Sequence, residues 1–151
     1  MTTRLPLLAI VILSLLSLAR CTGTTPPSAV SALTVSDAWV RITGGPAEPA
    51  AAYLTIANHG AIDDALVSAS SPLASSVAVH QSSMDSGGMM GMEPVARLDC
   101  PIGGTVAFAP GGYHLMITGL TVQLKAGDSL ELDLVFEHAG TIVVQAQVRQ
   151  T

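Results

Sequence analysis

Residues 129–149 have the sequence SLELDLVFEHAGTIVVQAQVR, and they give the clearest indication of the fold class. The first half of this stretch alternates large apolar residues with mostly polar ones, and the apolar set is Leu130, Leu132, Leu134 and Phe136. Successive side chains of a β-strand point to opposite faces of a sheet, so this set is expected on one buried face. His138-Ala139-Gly140 then provides a tight turn before the β-branched run 141–149. The stretch predicts a half-buried strand and a closing β-hairpin.

Similar short segments precede this hairpin along most of the chain. They are rich in β-branched residues and are separated by glycine, proline, serine and asparagine, which favour turns. The predicted strands cover residues 33–42, 50–58, 64–70, 75–81, 92–98, 105–109 and 113–118. No segment has the 3.6-residue period of an amphipathic helix, which excludes a parallel α/β fold. The pattern predicts an all-β fold, either a β-sandwich or a Greek-key barrel.

Composition narrows the range of functions. The chain has 151 residues, of which 49% are hydrophobic and 11% charged, enough for one domain with a real core. The net charge of -5 and an aromatic content of 3% argue against a nucleic-acid partner, which would need basic and stacking side chains. No serine or cysteine nucleophile lies in a catalytic motif. We therefore expect no nucleic-acid binding and no enzymatic activity.

The N-terminal part of the chain is typical of an exported protein. Arg4 precedes an uncharged apolar run, residues 5–19, that is too short to cross a bilayer comfortably. We interpret residues 1–20 as an export signal, the Ser-, Thr- and Pro-rich residues 21–32 as a flexible tether, and residues 33–151 as the functional domain.

Two processing routes fit the end of this signal. Leu18-Ala19-Arg20-Cys21 is similar to a lipoprotein cleavage box, in which Cys21 would be lipidated and would anchor the protein to a membrane. Arg20 departs from that pattern, since a small residue normally precedes the cysteine. The other route is simple cleavage near Val30-Ser31-Ala32. Both routes place the domain in the periplasm or cell envelope.

Methionine and histidine cluster in one region. Five of the six methionines and two of the four histidines fall between His80 and Met116. Thioether sulfur is a soft donor and imidazole a borderline one, so together they suit Cu(I) better than zinc, calcium or magnesium. His114 and Met116 are one residue apart in a predicted strand, which places them on one face about 7 Å apart. A hairpin through the predicted loop 82–91 would bring Met92 back to His80.

The remaining chemically active side chains receive other interpretations. Met84, Met89 and Met90 are candidate auxiliary metal ligands in the predicted loop. Cys100 is expected to be a small buried hydrophobe, since strand alternation points it inward. A blue-copper electron carrier would need that thiolate together with two histidines, and it is kept as an alternative. A second alternative is an exported β-sandwich interaction module in which the methionines only pack.

Five segments of the chain share a further pattern: Asp37-Ala38-Trp39-Val40-Arg41, Ala51-Ala52-Tyr53, Val79-His80, Met92-Glu93-Pro94-Val95 and the run from Pro110 to Met116. With these segments the chain resembles a known family, the PCu(A)C periplasmic copper chaperones. The family signature is H-x10-M-x21-H-x-M, and Met92-x21-His114-x-Met116 matches it in full. His80 and Met92 are separated by eleven residues instead of ten. Met92 keeps the x21 spacing, so we assign it, rather than Met90, to the signature.

The resemblance implies a fold, a cargo and partners. The implied fold is a cupredoxin-like Greek-key β-sandwich. The implied ligands of Cu(I) are His80, Met92, His114 and Met116. The implied role is that of a metallochaperone that delivers copper to the CuA centre in subunit II of cytochrome c oxidase, in some cases with a Sco-type thioredoxin-like protein.

Overall fold

A computed structural model of the chain describes residues 33–84 and 87–150. The predicted export signal, the tether and the lipidation site Cys21 lie outside these residues. The described residues form strands, turns and loops without any helix, so they also contain no helix that could cross a membrane. The ten strands are β1 Leu33–Ile42, β2 Ala50–Asn58, β3 Asp64–Ser70, β4 Ala74–Met84, β5 Met90–Pro94, β6 Leu98–Cys100, β7 Thr105–Ala107, β8 Tyr113–Leu120, β9 Ser129–Phe136 and β10 Gly140–Gln150.

The strands form one sheet that closes on itself. Their order is β5-β4-β8-β2-β1-β10-β9-β3-β6, and β7 pairs with β2. A pairing between β3 and β4, at Ala69 and Val77, closes the sheet into a β-barrel or sandwich with β5 and β6 flanking the closure. β1 and β10 run parallel, whereas the other paired strands are antiparallel. The predicted all-β fold is confirmed.

The hairpin that decided the fold class supplies much of the core. β9 and β10 pair from Phe136 and Gly140 at the turn to Ser129 and Gln147 at the far end. The alternating apolar residues of β9 are almost completely buried, as predicted from their spacing. Leu54 and Ile56 of β2 and Leu115 and Ile117 of β8 complete this interior.

Two of the predicted strands near the candidate site had wrong boundaries. The strand predicted at 75–81 continues to Met84, and β5 begins at Met90, so most of the predicted loop 82–91 is a β4–β5 hairpin. The strand predicted at 92–98 is two strands. β5 ends at Pro94, one further backbone bond joins the N–H of Val95 to the carbonyl oxygen of Val79 at 2.8 Å, and the chain then leaves β4 and pairs β6 with β3.

A β-bulge in β1 reverses its alternation. The register with β2 shifts between Ser36 and Trp39, and Asp37 has a φ of 54°, in the left-handed region. One extra residue moves every following side chain to the other face. Leu33 faces the core before the bulge, whereas Val40 faces it afterwards, so Trp39 and Arg41 lie on the outer face.

Candidate metal centre

Strand register places both predicted histidine ligands on the outer face of the barrel. His80 of β4 pairs directly with His114 of β8 in an antiparallel ladder, and paired residues share a face. The next pair along, Val79 and Leu115, points the other way and is buried in the core. Met116 is two residues beyond His114, so its side chain lies on the histidine face, as the His114-x-Met116 spacing predicted.

The β4–β5 hairpin brings the loop methionines onto the same face. Met92 pairs with Ser82, and Met90 pairs with Met84 at the tip. Since His80 pairs with Pro94, Met92 is its diagonal neighbour, at a typical distance of about 7–8 Å, and Met90 is one pair further away. This geometry favours Met92 over Met90 as a ligand, although the assignment stays a prediction.

The two thioethers approach the histidine pair from opposite sides. Met116 pairs with Ala78, which lies two residues before His80 on β4. Met92 pairs with Ser82, which lies two residues after His80. Met92, Met84, Met89 and Met90 are all more than half exposed. Met89 precedes β5 and belongs to no strand. Contiguous exposed apolar side chains of this kind are typical of a surface that binds a ligand or a partner.

The two imidazoles lie side by side on this face. Their ring centroids are 5.9 Å apart and their planes are inclined by 21°. Nδ1 of His80 lies 3.4 Å from the carbonyl oxygen of Ala78, and Nδ1 of His114 lies 3.3 Å from that of Gly112. A carbonyl oxygen only accepts, so these contacts are hydrogen bonds in the tautomer that carries its proton on Nδ1. In that neutral tautomer the lone pair of Nε2 is available to a metal ion.

The donor set that results is neutral and soft. It contains two imidazoles and two thioethers, and no carboxylate or thiolate belongs to it. Within residues 33–84 and 87–150 no group of three or more His, Cys, Asp or Glu side chains could hold a metal ion. Hard cations such as calcium and magnesium are bound mainly through oxygen ligands, whereas thioether sulfur is a donor type that Cu(I) prefers.

Cys100 takes no part in this centre. Its side chain packs in the core at 2% exposure, and burial raises the pKa of its thiol. The imidazoles of His80 and His114 lie on the outer face, so the thiol and the imidazoles cannot reach one ion. The prediction of a small buried hydrophobe is confirmed, and the ligand set of a blue-copper site is not assembled here.

A cleft of about 450 Å³ opens beside the candidate ligands. Its lining residues include Met90, Met92, His114 and Met116, together with residues of β1 and β2 such as Arg41 and Tyr53. The position of Arg41 on this face was not predicted from the sequence, because regular alternation through β1 does not reveal the bulge at Asp37. The aspartate, which tolerates positive φ better than most residues, was the one available signal.

Comparisons with known proteins agree with this architecture. A family model described as "Putative lipoprotein LpqE-like" matches residues 33–148. "Putative lipoprotein Lxx21020" of Leifsonia xyli subsp. xyli is 32% identical over 154 residues, covering 98% of this chain and 92% of that protein.

Solved structures of PCuAC domains are also similar to this chain. The apo PCuAC domain from PmoF1 aligns with a TM-score of 0.68 and 26% identity, over 80% of this chain and 95% of that one. The solution structure of CuI-DR1885 from Deinococcus radiodurans aligns with a TM-score of 0.59 and 32% identity, over 81% of this chain and 83% of that one. These matches confirm the cupredoxin-like fold class.

Proposed function

Because the chain belongs to the LpqE-like family, and because its outer face gathers two imidazoles and the thioethers of a methionine hairpin, we propose that it is an extracytoplasmic Cu(I) metallochaperone. The observation that carries the proposal is the register: His80 pairs with His114, Met116 flanks this pair on one side, and Met92 flanks it on the other. The similarity to a domain solved with Cu(I), CuI-DR1885, supports copper as the cargo.

The chemistry of these ligands suits transfer better than storage. A thioether or a neutral imidazole binds Cu(I) without losing a proton, and neither cancels the charge of the ion. An acceptor with thiolate ligands binds Cu(I) more tightly, so transfer of the metal is thermodynamically favourable once the two sites are in contact. Exposure of the methionines in β5 leaves one side of the ion open to such an acceptor.

We assign the acceptor and the anchor on chemical grounds and on the family resemblance. The CuA centre in subunit II of cytochrome c oxidase has the thiolates that downhill transfer requires, and a Sco-type thioredoxin-like protein is the expected second partner. Membership of a family described as lipoproteins supports lipidation at Cys21, which would hold the domain near a membrane-bound acceptor.

A competition titration tests the proposal. The chain from residue 21 onward is titrated with Cu(I) against a chromogenic chelator, in parallel with His114→Ala and Met116→Ala. We expect one tight equivalent that both substitutions abolish. His138→Ala is the matched control, because His138 is an exposed histidine in the β9–β10 turn and does not belong to the candidate ligand set. Failure of the parent chain to compete for copper, or equal losses in the control, would contradict the proposal.

A further inference from the structure

Two arginines form a stacked arrangement with two aromatic rings on the outer face. Arg41 of β1 and Arg149 of β10 are direct partners in the parallel ladder. The guanidinium carbon of Arg149 lies 5.1 Å from the ring centroid of Trp39, and that of Arg41 lies 5.9 Å from the ring centroid of Tyr53. The two rings are in contact, with centroids 4.6 Å apart. Cation–π contacts of this length hold both guanidinium groups in place.

Among the residues that the structure describes, neither guanidinium has an anionic partner. The salt bridges within the described residues involve Arg97 and His138, and none involves Arg41 or Arg149. Nε of Arg41 is buried and makes no hydrogen bond. The chain carries 11 acidic residues against 6 basic ones, so two adjacent arginines without a carboxylate are unexpected. Adjacent like charges are unfavourable, and a bound anion would relieve both the repulsion and the unpaired donor.

The same lateral row of the sheet connects this pair to the candidate metal centre. Arg149 pairs with Arg41, Arg41 with Ala51 of β2, and Ala51 with Met116 of β8. Paired residues share a face, so the arginines and the thioether stand on one surface with a single alanine between them. Two strand spacings separate Arg41 from Met116, which is about 10 Å. Arg41 and Met116 both line the cleft.

The geometry points to a carboxylate-binding site, formed by Arg41 and Arg149, at the edge of the cleft. A guanidinium presents its donors in a planar fork that matches a carboxylate in a bidentate contact, and two forks side by side suit more than one carboxylate. The carboxylates come from either of two sources, a small di- or tricarboxylate or an acidic polypeptide segment. The site itself stands without copper, and only its coupling to copper rests on the proposed function.

Coupling to copper has a definite sign. Neutral ligands leave the single positive charge of Cu(I) in place, about 10 Å from the arginines. At that distance in solvent the attraction to one carboxylate strengthens its binding by roughly a factor of two. Linkage makes the effect reciprocal, so a carboxylate ligand strengthens copper binding by the same factor. An acidic segment of an acceptor would therefore be drawn to the loaded form.

Trp39 provides the readout, because it is the only tryptophan of the chain and stacks against the site. Copper-free protein is titrated with citrate in one series and with a hexaglutamate peptide in another, while Trp39 emission is recorded. We expect saturable changes with at least one probe, weakened tenfold or more by Arg41→Gln and by Arg149→Gln. Lys125→Gln is the matched control, since it removes one positive charge from an exposed loop position.

The outcomes distinguish a small carboxylate from an acidic polypeptide, and they test the arginine site separately from the copper site. Binding of hexaglutamate alone assigns the site to a polypeptide, and binding of citrate alone assigns it to a small carboxylate. Absence of binding by both probes at 20 mM, tighter binding of inorganic phosphate, or an equal loss in Lys125→Gln would overturn the proposal. Arg149→Gln keeps the test valid if Arg41→Gln does not fold. Since no copper is present, failure of the metal centre does not affect the result.

Discussion

Replacing Asp64 with asparagine should destabilise the domain by removing a buried anchor of the closing hairpin. The carboxylate of Asp64, which is 6% exposed, accepts backbone N–H bonds from Ala65, His138 and Ala139 at 2.8, 2.9 and 2.9 Å. These bonds tie β3 to the turn between β9 and β10. In the Asp64→Asn variant the amide nitrogen replaces one acceptor, so one backbone N–H loses its partner and the other two bonds become neutral.

The cost can be approximated from these contacts. Hydrogen bonds to a charged group contribute about 1.5–3 kcal/mol, against about 1 kcal/mol for neutral ones, and an unsatisfied donor costs about 1–3 kcal/mol. We expect a loss of about 2–4 kcal/mol in the free energy of unfolding, which lowers Tm by roughly 10 °C for a domain of this size. Thermal unfolding at pH 7, followed by circular dichroism or calorimetry, measures both quantities.

The pH dependence of this loss follows from the direction of the pKa shift. Burial on its own raises the pKa of Asp64, but the three backbone hydrogen bonds and the nearby His138 outweigh it, so the pKa lies below its ordinary value. The stabilisation is therefore complete above the unfolded value of about 3.9 and is lost as pH falls through the folded pKa. The Tm difference between parent and variant should stay constant from pH 7 to about pH 5 and shrink below about pH 4.

A matched control separates this anchor from a simple change of charge. Asp133→Asn makes the same substitution on β9, where the carboxylate is more exposed and lies 3.5 Å from a serine hydroxyl. It should change Tm by no more than a degree or two. An equal loss in both variants, or a Tm difference for Asp64→Asn that persists unchanged at pH 3, would rule out this role for the Asp64 carboxylate.

Three further predictions concern other parts of the structure. Gly119→Ala should destabilise by more than Gly127→Ala: both glycines have positive φ, but only at Gly119 would the added Cβ lie 2.5 Å from a serine Oγ of β4, and urea denaturation of the two variants compares them. Cys100, buried and with its thiol pKa raised, should not react with a thiol reagent until the domain unfolds, and Cys100→Ala should bind Cu(I) like the parent; fast labelling of native protein would contradict this. Met92→Leu should weaken Cu(I) binding tenfold or more while Met90→Leu changes it little, and the reverse order would exchange the two assignments.

Strong periodicity made part of this structure predictable from sequence. The alternation through β9 identified its buried face residue by residue, because every second side chain of a strand must point the same way. The spacing of His114 and Met116 fixed their shared face for the same reason. Pairing of His80 with His114 did not follow from local spacing, since register between distant strands depends on the whole core.

The errors arose where local signals were weak or where one residue changed the phase. Ser82 and Ser83 have little β-propensity, yet they continue β4 because β5 pairs with them. The bulge at Asp37 is a single left-handed residue, and it alone brings Trp39 and Arg41 to the outer face. The metal face was therefore visible in the sequence, whereas the arginine face beside it was not.

X-ray absorption at the copper edge of the Cu(I)-loaded protein would show whether these four side chains bind the ion. We expect one copper ion with two nitrogen neighbours at about 2.0 Å and two sulfur neighbours at about 2.3 Å, close to the bond lengths of zinc with the same elements. We also expect that His80→Ala removes one nitrogen and that Met116→Leu removes one sulfur. A first shell of nitrogen and oxygen alone, or one that neither substitution changes, would contradict the assignment of copper to this face.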